Sequence, residues 1–197
     1  MTGRTAQKTG RDRLIVGLSG ASGVTIGVRL LEALSDLGVE SHCVMTKAAE
    51  MTIGYESTLA PRAVAAKADY AYAIGDIAAP IASGSFKTKG MIVAPCSVRT
   101  MSEIATGVTS SLLTRAGDVT LKERRPLILC VRETPFNRIH LRNMQLASDA
   151  GAVIFPVIPA FYNCPVDSTE MARQFVYRVL AHIGLPQKDA YIWKPGE

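Results

Sequence analysis

The stretch Leu14-Ile-Val-Gly-Leu-Ser-Gly-Ala-Ser-Gly23 joins an apolar run to a turn of three glycines and two serines, and an amphipathic stretch follows at once from Val24. A strand feeding directly into a helix is half of a β–α unit. The same grammar recurs along the chain. Apolar, β-branched runs lie at 14–18, 39–45, 91–94, 127–131 and 153–158. They are nearly continuous in hydrophobicity rather than alternating, as parallel strands covered on both faces are. Between them the spacing predicts helices over 24–37, ended by Gly38, over 110–124, closed by Pro126, and over 139–150, before Gly151. A last helix is expected over 168–183, with Ser168 as N-cap. The segment 60–82 is Ala-rich and reads as short helices and a loop. The alternation predicts an α/β fold: a doubly wound, mostly parallel sheet with helices on both faces, a flavodoxin/Rossmann-like three-layer sandwich.

The totals fit one such domain. The 197 residues are 48% hydrophobic and 20% charged, enough for one well-buried core. Residues 14–197 are expected to form that domain, with 1–13 as a mobile N-terminal tail. The N-terminus has no apolar segment behind its charges, so no signal peptide is expected, and no run reaches the ~18 apolar residues of a membrane span. The net charge of +5 is concentrated at one end: residues 1–13 carry four Lys/Arg and one Asp, and the rest of the chain carries only +2. A near-neutral body without a basic run argues against nucleic acid. Cys43, Cys96, Cys130 and Cys164 show no CxxC spacing, and the three histidines are scattered. This composition argues against zinc and for a reducing, cytoplasmic setting.

In sheets of this class ligands bind beyond the carboxyl ends of the strands. That rule selects five junctions: 19–23, 46–47, 95–100, 132–135 and 159–165. The glycines at 17, 20 and 23 are spaced GxxGxxG, not GxGxxG, and the second strand runs into Met45-Thr46-Lys47 without a carboxylate for a ribose. NAD is therefore disfavoured. No Gly-Lys-Ser/Thr makes a P-loop, and Gly-Ala-Ser22-Gly is not a nucleophile elbow. What remains is a helix-opening turn able to cradle an anion, with Ser19 and Ser22 as further donors, or a tight packing corner.

Three further groups carry chemistry. Arg115, Asp118 and Lys122 fall on one helical stripe, able to grip a phosphate or to lie solvated on a surface. Glu133, directly off the fourth strand, could serve as a general acid or sit in a structural ion pair. Tyr162, in a loop between prolines, and Arg178, in the last helix, both donate well to phosphate oxygens.

Taken in order, GLSGASG, the strand-end Thr-Lys-Ala-Ala, SGS at 83–85, PCSxxT at 95–100, RAGDVTLKERRPLIL, RETPFxxIHLxNM, PAFYNxP and Trp193 resemble the flavin prenyltransferase family, the UbiX/Pad-type flavoproteins. They cover residues 14 to about 193. The resemblance implies FMN held between subunits of a homo-oligomer, typically a dodecamer. Gly20, Ala21 and Ser22 would contact FMN, with Thr46 where the family usually has Ser. Ser97, Val98, Arg99 and Thr100 would form a second contact and Arg132 a third. Dimethylallyl monophosphate is the implied donor, its phosphate held by Tyr162, Arg178, Lys122 and Arg115. Glu133 matches the proton-transfer carboxylate, Trp193 the aromatic facing the allyl cation, and Glu56 a position near the site. Ser22 could also relay a proton.

The implied reaction joins the dimethylallyl group to N5 and C6 of reduced FMN, without a metal, and the product serves a UbiD-type decarboxylase. Val98-Arg99 is bulkier than its counterpart in some relatives. Two alternatives stay open: a flavin carrier subunit without chemistry, and a flavin-dependent cysteine decarboxylase. The second is disfavoured because Pro95-Cys-Ser-Val98 lacks that family's Asn.

Overall fold

The apolar runs become strands, and the computed structural model, which describes residues 10–193, sets them in one parallel sheet. The strands are β1 (Arg13–Leu18), β2 (Glu40–Met45), β3 (Tyr70–Tyr72), β4 (Gly90–Cys96), β5 (Leu127–Val131) and β6 (Val153–Ile154). They stand in the order β3-β2-β1-β4-β5-β6. Parallel neighbours require a crossover for every connection, and helices supply the cover. These are α1 (Val24–Asp36), α2 (Lys47–Glu56), α3 (Pro61–Ala65), α4 (Val98–Thr106), α5 (Leu112–Lys122), α6 (Arg138–Asp149) and α7 (Ser168–His182).

Both faces of the sheet are buried, which is why the runs read as continuous. Leu14, Val16, Leu18, Cys43, Ile92 and Ile128 pack beneath α1 and α7, against Leu30, Leu31, Phe175 and Val179. Ile15, Val44, Met91, Val93 and Leu129 turn the other way, against Met101 and Ile104 of α4 and Leu112 and Leu113 of α5. Each fully buried leucine contributes about 2 kcal/mol of transfer free energy, so the strand ends are firmly held. Cys43, Cys96 and Cys130 are buried, and burial pushes the Cys43 thiol up to about 12 and the other two up as well. All three behave as small hydrophobes.

The expected helix ends hold at α1, where Gly38 takes a left-handed conformation (φ 67°) and the Val39 N–H reaches Leu34 O at 3.0 Å. At α7 the cap is Asp167, whose Oδ1 accepts the Glu170 N–H at 2.7 Å, and Ser168 is the first helical residue. The fifth run makes only a two-residue strand. The chain still follows β5, with the N–H groups of Phe155 and Val157 bonded to Leu129 O and Val131 O at 2.9 Å, but Pro156 has no N–H to give. The segment 60–82 holds α3 and a short turn at Pro80–Ala82, as expected, but also the edge strand β3. Two helices, α2 and α4, stand where the sequence reads as loop. Of the segment 1–13, Arg13 opens β1 and Arg11 pairs with Asp69 at 2.8 Å; residues 1–9 lie outside the described residues. No helix among the described residues is long and apolar enough to cross a membrane.

The chain starts at β1, winds outward through β2 and β3, then returns to β4 and winds the other way through β5 and β6. The reversal between β1 and β4 is the topological switch point, where a crevice opens beyond the strand ends.

Candidate functional site

That crevice is a cleft of about 560 Å³, walled by the ends of four strands. Its lining includes Gly20, Ala21 and Ser22 after β1, Thr46 after β2, Ser97 to Thr100 after β4, and Arg132 and Glu133 after β5. Four of the five expected junctions therefore converge. The turn after β1 can lie against the start of α2 only because residue 20 is glycine: a Cβ there would stand 2.3 Å from the Ala48 Cβ. Ser19 is not a free donor. Its buried hydroxyl donates to Pro95 O at 3.1 Å and accepts the Ser97 N–H at 2.7 Å, tying β1 to β4.

Two helices open onto the cleft. Thr46 caps α2, its Oγ1 accepting the Ala49 N–H at 3.1 Å. Ser97 caps α4, its Oγ accepting the Thr100 N–H at 3.2 Å and donating to Thr100 Oγ1 at 3.2 Å. The first N–H groups of a helix lack intrahelical acceptors, so Lys47, Ala48, Val98 and Arg99 present donors with a positive dipole end behind them. Arg132 adds a guanidinium that is in no ion pair among the described residues.

The cradle at the N-terminus of α1 is real, but the chain fills it itself. Glu56, from the end of α2, accepts the Gly23 N–H at 2.9 Å and the Val24 N–H at 2.9 Å. Its carboxyl is held below the ordinary range: burial alone would raise it, but hydrogen bonds from Ser22 and from the Gly23 and Val24 N–H groups, with the Arg132 charge, outweigh burial. Of the helix openings beside the cleft, the one at α1 is thus filled by a carboxylate of this chain.

Glu133 is half-buried at the mouth of β5, and its Oε1 accepts the Thr134 N–H at 2.9 Å. It forms no ion pair among the described residues, so the structural alternative for it is not realised there. A second carboxylate, Glu103, also lines the cleft and went unread in the sequence. It accepts Arg99 Nε at 3.0 Å and the Ser110 hydroxyl at 2.6 Å, fixing the loop before α5. The i, i+4 spacing of Arg99 and Glu103 is the signal for it, visible once α4 is read as a helix. Ile74, Ser111 and Thr114 complete the wall without any sequence cue.

The remaining candidate residues lie elsewhere on the chain. Tyr162 and Arg178 line a second cleft, also about 560 Å³, between α7, the loop after β6 and residues 186–192. The Trp193 ring stands 5.3 Å from Tyr162, edge to face. Arg115 pairs with Asp118 at 2.6 Å, as the stripe on α5 implies, but Lys122 pairs with Glu123 at 2.5 Å. Neither Arg115 nor Lys122 lines either cleft. Within one chain the cleft at the switch point is thus separate from Arg115, Lys122, Tyr162 and Arg178. No group of three or more His, Cys, Asp or Glu among the described residues is placed to hold a metal.

The donor set suits a flavin mononucleotide: two helix N-termini, three hydroxyls and Arg132 for a phosphate, in a cleft of ligand size. Comparisons with known proteins agree. The Flavoprotein family model matches residues 2–182. Flavin prenyltransferase UbiX of Escherichia coli K12 is 53% identical over 185 residues, 92% of this chain and 98% of that protein. The crystal structure of AnUbiX (PadA1) in complex with FMN and dimethylallyl pyrophosphate superposes with a TM-score of 0.93 at 47% identity, over 95% of this chain and 100% of the other. A dodecameric FMN-dependent UbiX-like decarboxylase from Escherichia coli O157:H7 gives 0.90 at 46% identity, over 92% and 99%.

Proposed function

The chain belongs to the flavin prenyltransferase family of flavoproteins, and from that premise we propose how its own residues carry the reaction. It is an enzyme that transfers a dimethylallyl group to FMN. Reduced FMN supplies the nucleophilic N5 and C6 positions. The observation that carries the reading is the convergence of four strand ends on one cleft at the switch point.

In this cleft Ser97 to Thr100 and Thr46 hold the FMN phosphate with the helix openings behind them, and Arg132 neutralises its charge. Gly20, Ala21 and Ser22 lie against the flavin. Ser22, donating to Glu56, is a hydroxyl whose proton has an ionised carboxylate as partner. That pair can move a proton at the flavin edge. Glu133, at the other wall, returns or removes a proton as the allyl group bonds to the ring. The C–O bond of the donor would break, the phosphate leaving with the electron pair, as the allyl group bonds to N5 in place of its proton. The bond to C6 would form as the allyl double bond takes up a proton and C6 gives one up, so no oxidant is needed.

That leaving group needs cations, and Arg115, Lys122 and Arg178 stand away from this chain's own cleft. We assign Arg115, Lys122, Tyr162 and Arg178 to the cleft of a neighbouring copy, where they grip the donor phosphate while Trp193 faces the allyl cation. Preorganised Arg and Lys supply the electrostatic clamp there. A dodecamer, the state in which the E. coli O157:H7 relative is described, offers such neighbours. Dimethylallyl monophosphate is the assigned donor, against the pyrophosphate held by AnUbiX. A UbiD-type decarboxylase in the cytoplasm is the assigned recipient of the product. Residues 14–197 act as one FMN-binding domain.

Incubation with reduced FMN and dimethylallyl monophosphate, followed by mass spectrometry of the flavin, tests the function. A gain of one dimethylallyl unit is expected. Unmodified FMN would point instead to a carrier.

A further inference from the structure

The second cleft is lined on one side by α7 and on another by Pro186, Gln187, Ala190, Tyr191 and Ile192. Among the described residues, one side chain makes every hydrogen bond between residues 186–193 and the chain before Leu185. Gln174 Oε1 accepts the Tyr191 N–H at 3.0 Å, and Gln174 Nε2 donates to Asp189 O at 3.3 Å. The other bonds of this segment are local, Ala190 N–H to Gln187 O and Gln187 Nε2 to Leu185 O.

The amide can adopt only one orientation. Glu170, one turn earlier on α7, accepts from Gln174 Nε2 at 2.9 Å, and a carboxylate can only accept. The Tyr191 N–H can only donate, so the amide oxygen must face it. Glu170 is itself anchored, its second oxygen taking Arg173 Nε at 2.7 Å and its backbone capped by Asp167. The segment fixed in this way carries Tyr191, whose ring lies 5.2 Å from Tyr162, and Trp193, at 5.3 Å from the same ring. Arg178, one turn beyond Gln174 on α7, lines the same cleft.

We propose that Gln174 is a positioning residue: its amide clamps the 186–193 segment so that Tyr191 and Trp193 close on Tyr162 and present one aromatic wall to the prenyl donor. The inference rests on the assignment of Tyr162 and Trp193 to donor binding. The clamp acts on the backbone of the segment, so it orders the wall before the donor arrives and lowers the cost of binding it.

The FMN-loaded oligomer provides the test, with Gln174→Ala and Gln174→Glu compared to the unaltered protein. Glu keeps the acceptor for the Tyr191 N–H but gives up the bond to Asp189 O and faces Glu170 with a like charge. Both variants should raise KM for dimethylallyl monophosphate, roughly tenfold for Ala, the factor implied by losing hydrogen bonds of ordinary strength, with kcat kept within about twofold. Trp193 is the chain's one tryptophan, so its emission reports on the segment alone. Acrylamide quenching of that emission should increase, and tryptic cleavage after Lys188 should accelerate.

Unchanged quenching and cleavage in Gln174→Ala would overturn the clamp. A freed segment with unchanged KM would overturn its role in donor binding. Trp193→Phe separates the two levels: wild-type KM and kcat there would remove Trp193 from donor binding, while the quenching and cleavage results would still decide whether Gln174 holds the segment.

Discussion

Replacing Glu56 by alanine removes the carboxylate that fills the N-terminus of α1 and leaves the Gly23 and Val24 N–H groups, bonded to it at 2.9 Å, to water. The loss combines a cap, worth about 0.5–2 kcal/mol, with a charge at the positive end of a helix dipole, about 0.3–1 kcal/mol. Glu56 is exposed, which keeps the total near the lower half of that sum, roughly 1–2 kcal/mol. For a chain of this size the melting temperature should fall by about 3–6 °C. Glu56→Gln keeps an acceptor but no charge and should lose about half as much.

The pH dependence has a definite sign. The folded-state value of Glu56 lies below the ordinary 4.5, so its ionised form stabilises the fold fully above about that pH. As pH falls through the folded value the contribution disappears, and the gap between the unaltered protein and Glu56→Gln should close. Melting followed by circular dichroism at pH 7 and at steps down to about pH 3 measures both effects. Equal melting temperatures for the unaltered protein and Glu56→Ala at neutral pH would refute the reasoning, as would a constant gap to Glu56→Gln at every pH.

Glu133→Gln should retain FMN, seen in its absorbance, while prenylation slows by about 100-fold or more; unchanged turnover would exclude proton transfer there. Arg178→Ala should weaken donor binding by about 1.5–3 kcal/mol, read as a rise in KM with FMN affinity unchanged. His42 is buried between Tyr70, Tyr72 and Phe86, bonded to Tyr72 Oη and Glu40, and burial holds its imidazole below the ordinary 6.5. Its neutral form stabilises the fold above that pH. Stability should therefore decline as pH falls from about 7 to 5, and His42→Phe should flatten that decline in urea titrations.

The two-sided core was legible because strand and helix periods differ and because parallel strands hide both faces. Leu127–Val131 reads from the sequence as it stands in the sheet. The helix α2 was not, since only Ala49 and Ile53 of its ten residues are buried and no apolar stripe announces it. The start of α4 presents itself in the sequence as a loop motif, Pro-Cys-Ser-x-x-Thr, which hides the Glu103–Arg99 pair one turn on. The three residues of β3 carry too little pattern to stand out from the Ala-rich segment around them.

The site shows the same limit. Spacing put Arg115 beside Asp118 correctly, but a helical stripe does not say which cleft it faces. The glycine turn signalled an anion cradle, and the anion proved to be Glu56, some thirty residues away in sequence. Local chemistry was readable; what meets it across the fold was not.

The division of the site between copies is open to a direct measurement. Glu133→Gln and Arg178→Ala subunits, the first slow in proton transfer and the second weak in donor binding, are co-expressed and purified as mixed assemblies. They are assayed at dimethylallyl monophosphate well below the KM of Arg178→Ala, where both parents turn over slowly. If Glu133 of one copy works with Arg178 of another, random mixing restores wild-type sites at about one quarter of positions, and turnover should recover to that level. Mixed assemblies no more active than their parents would contradict a cleft completed by a neighbouring chain.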